Sequence, residues 1–293
     1  MKILYMGTPA PAAKLLSDLL KTRKDIVSVV TQPDKQKGRG LKNSESEVAQ
    51  ISKAAGITTY KPASVKDPEF IETIKNLAPD LIIVVAYGKI LPKEFLDIPK
   101  LGCINVHASL LPKYRGASPI QAALLNGDKT TGITIMMLNE KMDEGDVLAQ
   151  EEVSIQEDDN VTSLSDRLFI KGASLLTKTL VEADDNVRNG LKPFLTAKPQ
   201  NRTLATYAPL IKKEDGLLDF SQPAEKNFNK IRAYDPWPGA FTKFNGKVIK
   251  ILKAELKDGQ LIIKEVQPEG SRRMTAEEFE RGYRVKMADI IAK

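Results

Sequence analysis

Residues 81–88 read LIIVVAYG. The run is apolar until it stops at Gly88, with no polar position to mark a solvent-facing side. A half-exposed strand alternates polar and apolar residues, and an amphipathic helix repeats every three or four. A short continuous apolar run bounded by turn residues suits a strand covered on both faces, as in a parallel sheet layered by helices. The neighbouring segments supply those layers. PEFIETIKNLAPD (68–80) puts Phe70, Ile71, Ile74 and Leu77 on one helical face and meets Pro79 at its end. CINVHA (103–108) reads as the next strand, PIQAALLNG (119–127) as a helix, GITIMMLN (132–139) as a strand and TSLSDRLFIKGASLLTKTLVEA (162–183) as a long helix.

Upstream the same alternation holds. KILYMG (2–7), PAAKLLSDLLK (11–21) and IVSVVTQP (26–33) form a strand–helix–strand unit, and VAQISKAAG (48–56) is a further helix closed by Gly56. Alternating strands and helices predict an α/β domain with a doubly wound, mostly parallel sheet over residues 1–189. Residues 190–204 combine prolines, a glycine and few periodic apolar positions, and read as a linker. From 205 to 293 the pattern becomes β-rich. A helix at 223–235 precedes strands at 240–244, 247–256 and 260–267, joined by Asn245-Gly246 and Asp258-Gly259, and a last helix covers 276–283. Both dipeptides are strong hairpin-turn signals.

Composition sets the outer bounds. A chain of 293 residues favours two domains, and 42% apolar with 28% charged residues is globular. The single cysteine, Cys103, excludes an intrachain disulfide, and one Cys with one His cannot build a nitrogen–sulfur zinc set. No run has the length of a signal h-region or of a membrane span, so a cytoplasmic enzyme or binding protein is the simplest expectation. The 44 lysines and arginines against 38 acidic residues give a net charge of +6. Residues 203–293 carry 17 of those cations and 13 acids, and that excess suits either an anionic partner or plain solubility.

The chemistry-bearing residues lie at strand ends, where open α/β sheets bind their ligands. His107, the only histidine, follows Asn105 by two positions, which puts both side chains on one face of a strand. LNEKMDEGDVL (138–148) follows the next strand, and Asp143 there is within reach of a neighbouring strand end. A carboxylate beside an imidazole favours its charged form and fixes its tautomer. An imidazolium and an asparagine amide aimed at one oxygen stabilise a tetrahedral oxyanion. No serine or cysteine nucleophile stands beside the histidine, so the arrangement suits direct acyl transfer to an acceptor that brings its own nucleophile. On spacing alone, a structural histidine and a turn-forming aspartate remain the more common explanation.

INVHASLLPKYRGASPIQAALLNGDKTTGITIMMLNEKMDEGDVL (104–148) resembles the core of the 10-formyltetrahydrofolate-dependent formyltransferases. The Asn-x-His-x-Ser-Leu-Leu-Pro run, the Arg-Gly after it and the Met-Asp-x-Gly-Asp loop carry the likeness. The 36-position separation of His107 and Asp143 carries it too. The resemblance implies a catalytic set of Asn105, His107 and Asp143. It implies a folate-binding turn of Ser109, Leu110, Leu111 and Pro112, and a pteridine pocket lined from VVAYGKILP (84–92), with Val85, Ala86 and Tyr87. It further implies 10-formyltetrahydrofolate as co-substrate and no metal.

MGTPAPAA (6–13), TQPDKQKGRG (31–40), RAYDPWPGAFT (232–242) and QPEGSRRM (267–274) are similar to segments of the family members that formylate methionyl-tRNA. That likeness implies initiator methionyl-tRNA as partner, with Lys37, Arg39, Lys42, Arg272 and Arg273 as tRNA contacts, and a monomer. KGRG is not a dinucleotide fingerprint, because the third glycine is missing and no strand directly precedes it. Seven lysines and arginines against two aspartates between 21 and 42 suit phosphate contact. The 205–293 segment resembles an OB-like domain but is shortened, since one tight turn stands where the family carries about two more strands. Two other functions stay open: a formyltransferase for another amine, such as an amino-sugar nucleotide or glycinamide ribonucleotide, and a non-catalytic RNA-binding relative.

Overall fold

The computed structural model describes residues 1–37, 42–194 and 196–291. In chain order its strands and α-helices begin with β1 (Ile3–Gly7), α1 (Ala10–Thr22), β2 (Ile26–Val30), β3 (Lys35–Lys37), β4 (Lys42–Ser44) and α2 (Glu47–Ala54). Next come β5 (Thr58–Tyr60), α3 (Pro68–Leu77), β6 (Leu81–Val85), α4 (Lys93–Leu96), β7 (Cys103–His107), β8 (Arg115–Gly116) and α5 (Pro119–Leu125). β9 (Thr130–Met137), β10 (Val147–Ser154), α6 (Val161–Arg188), β11 (Tyr207–Ala208) and α7 (Ala224–Ala233) follow. The chain ends with β12 (Ala240–Phe244), β13 (Lys247–Lys257), β14 (Gln260–Pro268), β15 (Met274–Thr275), α8 (Ala276–Tyr283) and α9 (Met287–Ile291).

These elements form two compact units. One comprises Met1–Arg115, Gly132–Val153 and Asp166–Thr206; the other comprises Gly116–Thr131, Ser154–Ser165 and Tyr207–Lys293. Each unit is therefore discontinuous along the chain.

The first unit is built on a seven-stranded sheet of order β10-β9-β7-β6-β1-β2-β5. β1 pairs in parallel with β2 and β6, β6 with β7, and β2 with β5, while β7 pairs antiparallel with β9. The doubly wound, mostly parallel sheet expected from the apolar runs is thus present. Every residue of β1 and β6 is buried, which is why neither strand alternates. On one face Leu4, Met6, Ile82, Val84 and Cys103 pack with Phe70, Ile71 and Ile74 of α3. Helix ends follow local chemistry. Ser46 caps α2 by accepting from the Ala49 amide, and Asp67 caps α3 by accepting from Glu69. α3 stops at Leu77 because Ala78 turns left-handed, at φ 49°, ahead of Pro79.

β1 is flanked by β2 on one side and β6 on the other, so the winding reverses there. In such a sheet ligands bind beyond the carboxyl ends of the strands nearest that reversal. Val84 of β6 is in register with Asn105 of β7, which brings the Val85–Tyr87 segment beside the end of β7.

The second unit carries an antiparallel sheet of order β12-β13-β14-β15. Both hairpins turn where Asn-Gly and Asp-Gly predict them. Asn245 and Gly246 have φ 47° and 76°, and Asp258 and Gly259 have 50° and 73°. Two successive positive φ values match the twist of the flanking strands. Leu218, Ile231, Ile249, Ile251, Ile263, Val266 and Phe279 form its core. Among the described residues β12 and β15 do not pair, so the sheet is open and four-stranded. This is the shortened β-rich domain that the single tight turn after β13 implies.

Candidate active site

Asn105 and His107 stand on β7 at its carboxyl end, and Val106 between them points to the opposite face. His107 is buried, with only 5% of its surface exposed. Its Nε2 lies 2.9 Å from the carbonyl oxygen of Tyr114. A carbonyl can only accept, so Nε2 carries a proton. The other ring nitrogen, Nδ1, faces the Asp143 carboxylate, with Oδ2 at 3.7 Å. That is an ion-pair separation, longer than a hydrogen bond. Both ring nitrogens are therefore engaged inside the protein. Asn105 differs: it is half-buried, and among the described residues its carboxamide makes no hydrogen bond.

Asp143 sits in the loop between β9 and β10 with φ 50°, a left-handed conformation that aspartate tolerates better than most residues. The same loop tucks Gly145 against the end of β9. A Cβ built on Gly145 falls 1.8 Å from the Met137 carbonyl oxygen, so only glycine fits.

The Ser109–Pro112 turn follows β7 directly and is held by its own hydrogen bonds. Ser109 Oγ donates to the Lys113 carbonyl at 2.6 Å. Thr134 of β9, opposite His107 in register, donates its hydroxyl to the Ser109 carbonyl at 2.6 Å and accepts from the Leu111 amide at 3.2 Å. Gln150 Nε2 adds bonds to the Leu111 carbonyl at 2.8 Å and to Thr134 Oγ1 at 2.9 Å. Sequence reasoning missed Thr134 and Gln150. The β7–β9 pairing puts Thr134 opposite His107, and no sequence pattern records that pairing.

Val85 is fully buried, Ala86 is exposed with φ 45°, and Tyr87 is buried. Burial pushes the Tyr87 phenol up to about 12, so it stays a neutral hydroxyl at physiological pH.

The sequence-predicted tRNA contacts have different surroundings. Arg39 lies outside the described residues. So do the side chains of Lys37 and Lys42, whose backbones pair in the β3–β4 hairpin. Arg272 is exposed and, among the described residues, makes no ion pair. Arg273 is exposed but paired with Glu265. Groups of three or more histidine, cysteine or acidic side chains able to hold a metal ion do not occur among the described residues.

A doubly wound sheet with an Asn-x-His strand end facing a loop aspartate, and a Ser-Leu-Leu-Pro turn beside it, defines a class. The chain belongs to the formyl transferase family: the model described as "Formyl transferase" matches residues 1–180, and "Formyl transferase, C-terminal domain" matches 210–260. The resemblance read from residues 104–148 is borne out. Among curated proteins, the methionyl-tRNA formyltransferase of Geotalea uraniireducens is 41% identical over 100% of this chain and 98% of its own. That of Thermodesulfovibrio yellowstonii is 43% identical over 97% of this chain and 96% of its own. Among solved structures, the methionyl-tRNA formyltransferase from Clostridium thermocellum aligns with a TM-score of 0.61 at 18% identity. The alignment covers 92% of this chain and 98% of that one, a likeness of fold.

Proposed function

We propose that this chain transfers the formyl group of 10-formyltetrahydrofolate to the α-amino group of initiator methionyl-tRNA, as a monomer in the cytoplasm and without a metal. The observation that carries the reading is end-to-end similarity, at 41–43% identity, to proteins named for that activity. The strand-end geometry supports the chemistry. No helix among the described residues is long and apolar enough to cross a membrane.

In this reading the donor's pteridine lies by Val85, Ala86 and Tyr87, with the Ser109–Pro112 turn holding the folate. The methionyl amine attacks the formyl carbon, and a tetrahedral oxyanion forms. The Asn105 carboxamide, which makes no hydrogen bond among the described residues, is the ready donor to that oxygen. His107 joins it by exchanging its Nε2–H bond from the Tyr114 carbonyl to the developing oxyanion, a charged and therefore stronger acceptor. Asp143 keeps the ring oriented and, because Nε2 already carries its own proton, receives by way of solvent the proton that the amine loses. Collapse of the intermediate breaks the bond to the folate N10, which takes up a proton as it leaves. An α-amino group has an ordinary pKa of roughly 7.7–8.0, so about 10–20% of it is already a free nucleophile at neutrality and little deprotonation work is needed. Arg272 and the basic 35–42 segment supply phosphate contacts in this reading, as does the open sheet of residues 205–293.

The test mixes labelled formyl donor with charged initiator tRNA, charged elongator tRNA or an amino-sugar nucleotide. Formyl-methionyl-tRNA is the expected product. The His107→Ala variant should turn over roughly 100–1000-fold more slowly, the usual cost of one oxyanion donor. Label found only on the sugar nucleotide, or near-normal turnover by His107→Ala, would overturn the reading.

A further inference from the structure

Residues 198–206 fall largely in the stretch read as a linker, yet in the first unit they are fastened to the site at several points. Lys198 and Val147 exchange backbone hydrogen bonds at 2.8 and 2.9 Å. Thr206 accepts the Tyr114 amide through its hydroxyl at 2.9 Å and the Arg115 amide through its carbonyl at 2.8 Å. Between these anchors sits Gln200, whose carboxamide uses its full bonding capacity. Oε1 accepts from Arg115 Nε at 3.1 Å and Nη2 at 2.8 Å. Nε2 donates to the carbonyl oxygens of Asp143 and Gly145, both at 2.8 Å.

A guanidinium only donates and a carbonyl only accepts, so the amide can face just one way. Arg115 is itself 1% exposed, and its Nη1 lies 3.3 Å from Glu144 Oε1. Three consecutive loop residues are therefore gripped by one pair of side chains: 143 and 145 through their carbonyls, 144 through its carboxylate. Gly145 is also packed against the Met137 carbonyl, too closely for any Cβ.

We propose that Gln200, backed by Arg115, is a positioning residue that fixes Asp143 against His107. This rests on the catalytic role proposed above for Asp143. Gln200 touches neither the imidazole nor any reacting atom. It sets the backbone from which the carboxylate reaches Nδ1, and a displacement of about 1 Å in such a site can cost 100-fold in rate. Gln200→Leu keeps the bulk and removes all four bonds. Gln200→Glu keeps an acceptor for Arg115 but turns an oxygen toward two carbonyl oxygens where a donor is needed.

Two measurements on the full-length, untagged protein test this. In steady-state formylation, Gln200→Leu and Gln200→Glu should lose roughly 10–100-fold in kcat, with the KM of each substrate unchanged within about threefold. Gln200→Leu combined with Asp143→Asn should be no slower than Asp143→Asn alone, because the two act through one group. Independently of activity, the ring ¹⁵N signals of the only histidine, at fixed pH, should move in Gln200→Leu in the direction they move in Asp143→Asn. They should move no further in the double variant.

Unmoved ring signals, kcat within twofold of wild type, or losses that multiply in the double variant would each overturn the proposal. If Gln200→Leu does not fold, Gln200→Glu alone is held to the same kinetic and spectral outcomes. Wild-type turnover by Asp143→Asn would fell the catalytic reading beneath it, and the proposal with it. That failure is distinct from an Asp143 that matters and a Gln200 that does not.

Discussion

Cys103 opens β7, the strand that carries Asn105 and His107, and it is 1% exposed. Its thiol lies 3.7 Å from the Leu96 carbonyl oxygen. Burial, with the negative charge of Asp97 added, pushes the thiol up to about 12 from its ordinary 9.0. A raised value means that the folded protein holds its proton while the unfolded chain releases it. Stability from this group is therefore complete below about pH 9 and falls as pH rises toward 12, by at most about 1.4 kcal/mol per pH unit. Cys103→Ala should unfold with a shallower loss of stability between pH 9 and 11 than wild type, as urea titrations at stepped pH would measure. The native thiol should stay inert to a thiol reagent at pH 8 and react on unfolding. The single histidine was legible at this scale because it stands alone in the chain and between motif residues. Gln200 was not legible. A glutamine in a stretch without periodicity carries no sign of its partners, and those partners, Arg115 and the 143–145 loop, lie far from it in sequence.

The elements beyond β7 work as a brace for the turn that follows it. Thr134, fully buried on β9, takes part in three hydrogen bonds that reach Ser109, Leu111 and Gln150. Thr134→Val keeps the shape and leaves a buried carbonyl and a buried amide without that hydroxyl. The expected cost is about 1–3 kcal/mol of stability. The turn that the proposed function gives to the folate should loosen, raising the KM for the formyl donor roughly tenfold while the KM for tRNA holds. Thermal unfolding and steady-state kinetics check the two parts separately. Most elements were readable because each has one strong period or one strong run. β6 is wholly buried, α3 shows its face, and the hairpins at 245–246 and 258–259 carry their own turn residues. β5 and β10 escaped. β5 is three residues long, and β10, VLAQEEVS, buries only Val153, so neither an apolar run nor an alternation marks it. Both lie at the edges of the sheet, where burial on one side imposes the weakest pattern.

At the scale of the whole molecule the decisive quantity is charge and how much of it is free. The net charge is +6, and residues 203–293 supply a large part of the excess. A cation already paired with a carboxylate releases no counterion when it meets a phosphate, because its field is largely spent. Arg272 and Arg273 are adjacent and both exposed, yet among the described residues only Arg273 of the two is paired, with Glu265. They form an internal control for the proposed tRNA contact. If the open sheet of the second unit meets tRNA electrostatically, the apparent KM for tRNA should climb steeply between 50 and 200 mM salt, and the KM for the folate donor should climb far less. Arg272→Ala should raise the tRNA KM several-fold at low salt and flatten its logarithmic dependence on salt by about one unit, the signature of one lost phosphate contact. Arg273→Ala should flatten the salt dependence much less, since that cation is already spent on Glu265. Initial rates with charged initiator tRNA across a salt series, for wild type and both variants, decide it. Equal effects from the two arginines would mean that the Glu265 pair does not persist against tRNA. A salt slope unchanged in both would place the contact elsewhere, on the basic 35–42 segment.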